Sequence, residues 1–189
     1  MGGMNILTHG FLSWSLSTAV ARNRGERAAL TTAGMLPDID GFGYLPEALS
    51  GGRIPMFSMF HHVLAHNLLA GLVCTGVAAL LFRRNWRIPL LAFLFFHLHL
   101  LGDIMGGKGP DGYEWPVPYL WPFMPAYEIT WSGQWTLNAW PNFLISGLCL
   151  AYILYFAWRK GFSPLELISR KADAVFVEAL RQRFGKPSC

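Results

Sequence analysis

The chain has 189 residues, 53% of them hydrophobic and 14% charged, against roughly 25% charged in an ordinary soluble domain. Its 8 Trp, 14 Phe and 6 Tyr exclude a disordered chain, because disorder goes with few aromatics and many charges. Cys74, Cys149 and Cys189 form no CxxC pair, which argues against a disulfide framework and against a zinc site built from thiolates.

In chain order, Ile6 to Ala21 is moderately apolar. It lacks a basic stretch in front and His9 interrupts it, so it is expected to be a retained helix and not a cleaved signal. Ala28 to Leu36, ended by Pro37, is expected to pair with it as a helical hairpin through Asn23, Arg24 and Gly25. Val63 to Phe82 and Asn142 to Trp158 are apolar enough to cross a bilayer core, which takes roughly 20 helical residues. Ile88 to Met105 is nearly as long, with His97, His99 and Asp103 set into it, an expensive place for polar side chains. From Gly106 to Pro141 the chain carries Pro116, Pro118, Pro122 and Pro125 among tryptophans, which predicts an ordered aromatic loop at a membrane interface. Ser163, Pro164 and Glu166 read as the cap, first position and capping-box glutamate of a tail helix. Leu165, Ile168, Ala172, Val175, Phe176, Ala179 and Leu180 give that helix an apolar stripe, suited to an anionic membrane surface. The predicted fold is therefore all-α: a multi-pass transmembrane helical bundle over residues 1–161 with an amphipathic cytoplasmic tail over 162–189.

Lys and Arg gather at Arg22 to Arg27, at Arg83 to Arg87, and from Arg159 onward. The positive-inside rule makes these cytoplasmic. The inner segments then carry 13 basic and 4 acidic residues and the outer ones 2 and 7. This acidic outer side argues against direct binding of a long polyanion such as nucleic acid there. Although only Lys and Arg were used, all six histidines fall in the outer half, with Asp38, Asp40 and Asp103.

Imidazoles and carboxylates without thiolates suit a divalent metal, zinc first and manganese or iron next, and their number suggests more than one ion. His99 and Asp103 are four apart and share a helical face, whereas His97 points elsewhere and reads as structural. His62 and His66 are also four apart, so regular helical geometry favours His62 over His61; His61 reaches the site only if the helix begins near it. Asp38 and Asp40 follow Pro37 and could flank a metal or merely close a turn.

Thr8-His9-Gly10, Gly34-Met35-Leu36-Pro37-Asp38-Ile39-Asp40, the run from His61 to Leu68, His99-Leu100-Leu101-Gly102-Asp103 and Tyr119-Leu120-Trp121-Pro122-Phe123 together resemble the YdjM-like family of bacterial inner-membrane proteins, read as metal-dependent hydrolases. In that family's central motif, His-Arg, two residues, then Thr-His-Ser, the matching positions are His61, His62, Ala65, His66 and Asn67; the two histidines match and the Arg, Thr and Ser do not. The resemblance implies the ligands His9, Asp38, Asp40, His61, His66, His99 and Asp103, with His62 as an alternative ligand or a partner for substrate phosphate. The ligand pattern is also similar to that of zinc-dependent phospholipase C and related single-strand nucleases.

The resulting expectation is a hydrolase of the inner membrane acting on a phospholipid or other amphiphilic phosphoester near the outer face, with Asp40 orienting or deprotonating the attacking water. The rival reading is a metal-binding or scaffold protein without catalysis, meeting a cytoplasmic partner through its basic tail.

Overall fold

The computed structural model describes residues 6–109 and 112–187, so Pro110 in the expected loop and Cys189 in the tail lie outside the described residues. The described residues are helical and irregular, with isolated bridges Lys108–Thr136 and Val117–Ile129 in place of a sheet. Helix α1 spans Ile6–Val20 and α2 Arg24–Met35. Asn23 caps α2 by accepting from the Glu26 amide at 3.0 Å, so α2 begins four residues before the expected Ala28. A 3-10 segment, Leu36–Gly43, then carries Asp38 and Asp40. Two short helices follow, α3 (Tyr44–Leu49) and α4 (Met56–Phe60).

Helix α5 covers only Leu68–Leu81, a correction to the expected span from Val63. Competing hydrogen bonds stop it. The Asn67 side chain caps the Ala70 amide at 2.9 Å and gives its own N–H groups to the Val63 and Leu64 carbonyls. Asp40 takes the Ala65 amide at 3.2 Å, and the Leu68 amide, which a longer helix would give to the Leu64 carbonyl, donates to the Tyr119 carbonyl at 2.8 Å. Helices α6 (Arg87–Gly106) and α7 (Trp140–Lys160) match their expected positions, and both are long and apolar enough to cross a membrane.

Both α2 and α5 pack on α6, while α1 packs on α2 and α7 on α1, giving the lateral order α7, α1, α2, α6, α5. Leu30, Ala33, Ala78, Ile88, Ala92 and Phe95 form the buried apolar cluster between α2, α5 and α6. The outward faces stay apolar, with Leu72, Val77 and Leu80 on α5 and Phe143, Leu144 and Leu148 on α7 all at least half exposed. Continuous exposed apolar surface of this kind marks a face made for lipid or a partner.

The tail differs from expectation. Ser163 caps a short 3-10 turn, Pro164–Leu167, and the tail helix α8, Arg170–Phe184, starts one turn later with Ser169 as its cap. Glu166 is drawn away from the capping box by Arg27, whose guanidinium donates to both carboxylate oxygens at 2.6 and 2.8 Å while lying 4.2 Å from the Phe162 ring centroid. The predicted stripe is split: Phe176 and Leu180 are half-buried, whereas Ile168 and Val175 are exposed. Buried Asp173 accepts from the Ser163 amide and hydroxyl, fastening α8 to the turn before it.

Candidate metal centre

Four segments deliver polar side chains to one place. His9 comes from α1, Asp38 and Asp40 from the 3-10 segment, His61, His62 and His66 from the turns before α5, and His99 and Asp103 from α6. The turn sequence has no helix to position its histidines. Instead His62 takes a left-handed backbone, φ 65°, and stacks on His66 with ring centroids 4.2 Å apart. The pairing that helical spacing favoured is thus present, built by a turn.

Two groups of three ligands emerge, His9 with Asp38 and His99, and His62 with His66 and Asp103; the ligand atoms within each lie inside 4.8 Å of one another. Asp103 joins the groups. Its Oδ1 is 3.2 Å from His9 Nε2, and its Oδ2 is 3.0 Å from His99 Nε2 and 3.4 Å from His66 Nε2. Asp38 Oδ1 lies 3.7 Å from His99 Nε2. Two atoms bound to one zinc ion at about 2.1 Å each stand about 3 to 4 Å apart, so these separations fit a divalent ion.

The hydrogen bonds around the cluster make the same point. The Nδ1–H of His99 donates to the Gly34 carbonyl at 2.8 Å, which leaves the Nε2 lone pair facing Asp103. The Nδ1–H of His66 donates to Asp40 Oδ2 at 3.1 Å, likewise turning Nε2 toward Asp103. Fixing one ring nitrogen so that the other is bare is how proteins orient a histidine ligand. Neither ring nitrogen of buried His62, nor Oδ2 of Asp38, has a hydrogen-bond partner among the described residues. A buried polar atom left so costs about 1 to 3 kcal/mol, and an ion would satisfy it.

Asp40 and His61 sit beside these groups. Both oxygens of Asp40 are engaged, Oδ1 by His61 Nδ1 at 2.8 Å and Oδ2 by His66 and the Ala65 amide. Burial alone would raise the Asp40 carboxyl, but the hydrogen bonds from His61 and His66 outweigh it and hold it well below the ordinary carboxylate range. Asp40, expected as a ligand and a base, is hydrogen-bonded to the rings of His61 and His66 and stands beside both groups of three. Burial would lower the His66 imidazole, yet the carboxylates of Asp103 and Asp40 beside it raise it to about 9. His62 is pushed well down by burial and by His66. Burial raises Asp38.

His97 lies outside the cluster, bonded to the Phe93 carbonyl and the Tyr119 hydroxyl at 2.8 and 3.0 Å. Two positioning residues escaped the sequence reading. Gly34 supplies the carbonyl for His99 and leaves no room for a side chain, since a Cβ there would come within 2.8 Å of Ser13 Cβ. Its place in the Gly34 to Asp40 motif was the available signal. Gln134, buried in the long loop, donates to the Asp103 carbonyl at 2.9 Å and accepts from the Trp115 amide at 3.3 Å; nothing in its local sequence marks it.

Over the cluster, the long loop and α4 enclose a pocket of about 460 Å³ that reaches His61 and His62. Residues 4–169 match the family model described as YdjM inner membrane protein. No curated protein and no solved structure matches the chain.

Proposed function

The chain belongs to the YdjM inner membrane protein family, and from that premise we propose that it is a multi-pass membrane hydrolase whose His and Asp cluster holds divalent metal near the outer face. The preferred substrate class is a phosphoester of lipid or lipid-like character. The observation that carries this reading is the juxtaposition of bare ligand atoms with an open pocket. His62, whose ring nitrogens have no hydrogen-bond partner among the described residues, stands both in the second ligand group and in the pocket lining. A purely structural polar cluster needs no such opening.

His9, Asp38 and His99 would hold one ion and His62, His66 and Asp103 a second, with Asp103 between them. Zinc is the first choice for this donor set, with manganese or iron next. A divalent ion there supplies Lewis acidity and a water of lowered pKa. The protein's own contribution is orientation. Asp40 locks His66, Gly34 locks His99, and Gln134 ties the covering loop to the backbone of Asp103. His61, hydrogen-bonded to Asp40 and stacked on Phe57 with centroids 4.4 Å apart, borders the pocket where a phosphoryl oxygen would enter.

Lys and Arg set the orientation, with the α1–α2 turn, the α5–α6 turn and the tail cytoplasmic. In that arrangement α1, α2, α5, α6 and α7 lie in the bilayer, and the tryptophans of the long loop lie at headgroup depth. The deciding experiment is elemental analysis of detergent-purified protein paired with hydrolysis of a short-chain, water-soluble phospholipid. Bound zinc, manganese or iron together with metal-dependent turnover is expected. Bound metal without turnover across phosphoester substrates leaves the non-catalytic metal-binding reading, and absence of metal after supplementation overturns both.

A further inference from the structure

The pocket beside His61 and His62 is walled by the rings of Phe57, Tyr113, Trp115 and Trp121, with the carboxylate of Glu128 among them. Among the described residues that line it there is no lysine or arginine. Lys108, from the same loop, pairs with Glu114 at 3.8 Å. A volume of about 460 Å³ falls within the range of small-ligand sites.

These walls have a definite electrostatic preference. Aromatic faces carry negative potential and attract cations, quaternary ammonium groups above all, and a carboxylate adds to the same field. An anionic group would find no lysine or arginine among the described lining residues to complement its charge. The walls are also pre-set. Trp115 is pinned through its amide to Gln134 and meets His61 and His62 edge-on, with centroids 5.4 and 4.7 Å away. A phosphoester is bipolar when its alcohol bears an amine, and the site is bipolar in the same sense: metal ligands at the base, aromatic rings and Glu128 above.

We propose that the aromatic pocket recognises a cationic ammonium group on the alcohol part of the phosphoester. The inference rests on the metal-centre reading for the position of the phosphate, while the recognition itself is read by binding. The test is calorimetric titration of zinc-loaded protein in detergent with phosphocholine and with its neutral isostere, 3,3-dimethylbutyl phosphate, which differ only in charge. Phosphocholine is expected to bind at least about fivefold more tightly. Glu128→Gln and Trp115→Leu should each erase most of that difference, and Trp115→Phe, which restores a ring face, should recover it. Equal affinity for the two ligands, or a preference untouched by both Glu128→Gln and Trp115→Leu, overturns the proposal.

Repeating the titration with short-chain phosphatidylcholine separates the sources. Tighter binding of the lipid assigns a membrane headgroup and equal binding assigns a soluble ester, and either supports cation recognition. A charge preference that persists without detectable hydrolysis keeps this proposal and removes the hydrolase reading.

Discussion

Asp103 Oδ2 stands 3.0 Å from His99 Nε2, one helical turn earlier on α6, and 3.4 Å from His66 Nε2 on a different segment. One carboxylate in an apolar helix thus gathers imidazoles from across the fold, His9 included at 3.2 Å. An arrangement so dependent on a single side chain invites direct tests.

Removing Asp103 should abolish metal binding. Wild-type protein is expected to melt later with added zinc, since a ligand at about 100 times its Kd stabilises by about 2.7 kcal/mol. Asp103→Asn and His99→Ala should show no zinc-dependent rise in Tm and no retained metal. A full shift in both variants would place the ion elsewhere.

Asp40→Asn should behave differently. Because both its oxygens are already engaged by His61, His66 and the Ala65 amide, its loss should weaken metal binding by about 10- to 100-fold without eliminating it. Saturating zinc should restore full occupancy. Complete and irrecoverable loss, as for Asp103, would make Asp40 a ligand after all.

Gly34→Ala tests the link between helix packing and the site. The added Cβ would strike Ser13 on α1, pushing α2 away from α1 and moving the carbonyl that holds His99. A loss of about 1 to 3 kcal/mol in stability should accompany weaker zinc retention. Ala33→Gly, one residue away on the same helix, should lower stability by cavity and propensity effects while sparing zinc at matched folded fraction.

The tail is expected to be part of the folded unit. The Arg27 and Glu166 side chains are 11% and 7% exposed, and breaking a buried pair by removing one partner costs about 3 to 5 kcal/mol. Arg27→Ala should therefore destabilise strongly and expose α8 to protease, whereas the double change Arg27→Met with Glu166→Met should recover much of the stability. Arg170 and Lys171, both exposed, are the better choices for testing tail-dependent membrane or protein association. Arg181 already serves the fold by donating to the Trp158 carbonyl at 3.2 Å.

Orientation can be read by labelling. With the native cysteines replaced by alanine, Ser132→Cys in the long loop should react with an impermeant maleimide in intact cells, and Glu178→Cys on α8 only after lysis. The reverse pattern would invert the topology while leaving the ligand geometry untouched.

Much of the helical layout was legible in the residues. Apolar runs around His97 and from Asn142 onward mark α6 and α7, because a continuous apolar run of that length is longer than a strand and reads as a helix long enough to cross a membrane. His99 and Asp103 were readable as a pair because both lie on one regular helix. The residues from His61 to Asn67 were not readable in the same way. Their conformation is decided by Asp40, remote in sequence, which takes the Ala65 amide and two imidazoles, and by Asn67, which ends the turns as a cap. The tail cap was misplaced for a similar reason: Glu166 had a stronger partner in Arg27 than in its own helix.

By itself the sequence determined the helical class, the two longest apolar helices and the company that His9, Asp38, His66, His99 and Asp103 keep. These follow from local periodicity, hydropathy and the distribution of charge, each a property of neighbouring residues. Only the tertiary structure decided that His62 stands with His66 and Asp103 while His61 and Asp40 bond to each other beside them, and that Gly34 and Gln134 hydrogen-bond to His99 and to the Asp103 backbone. Those roles depend on which hydrogen bond wins where separate segments meet, and that competition is settled by packing between residues far apart in the chain.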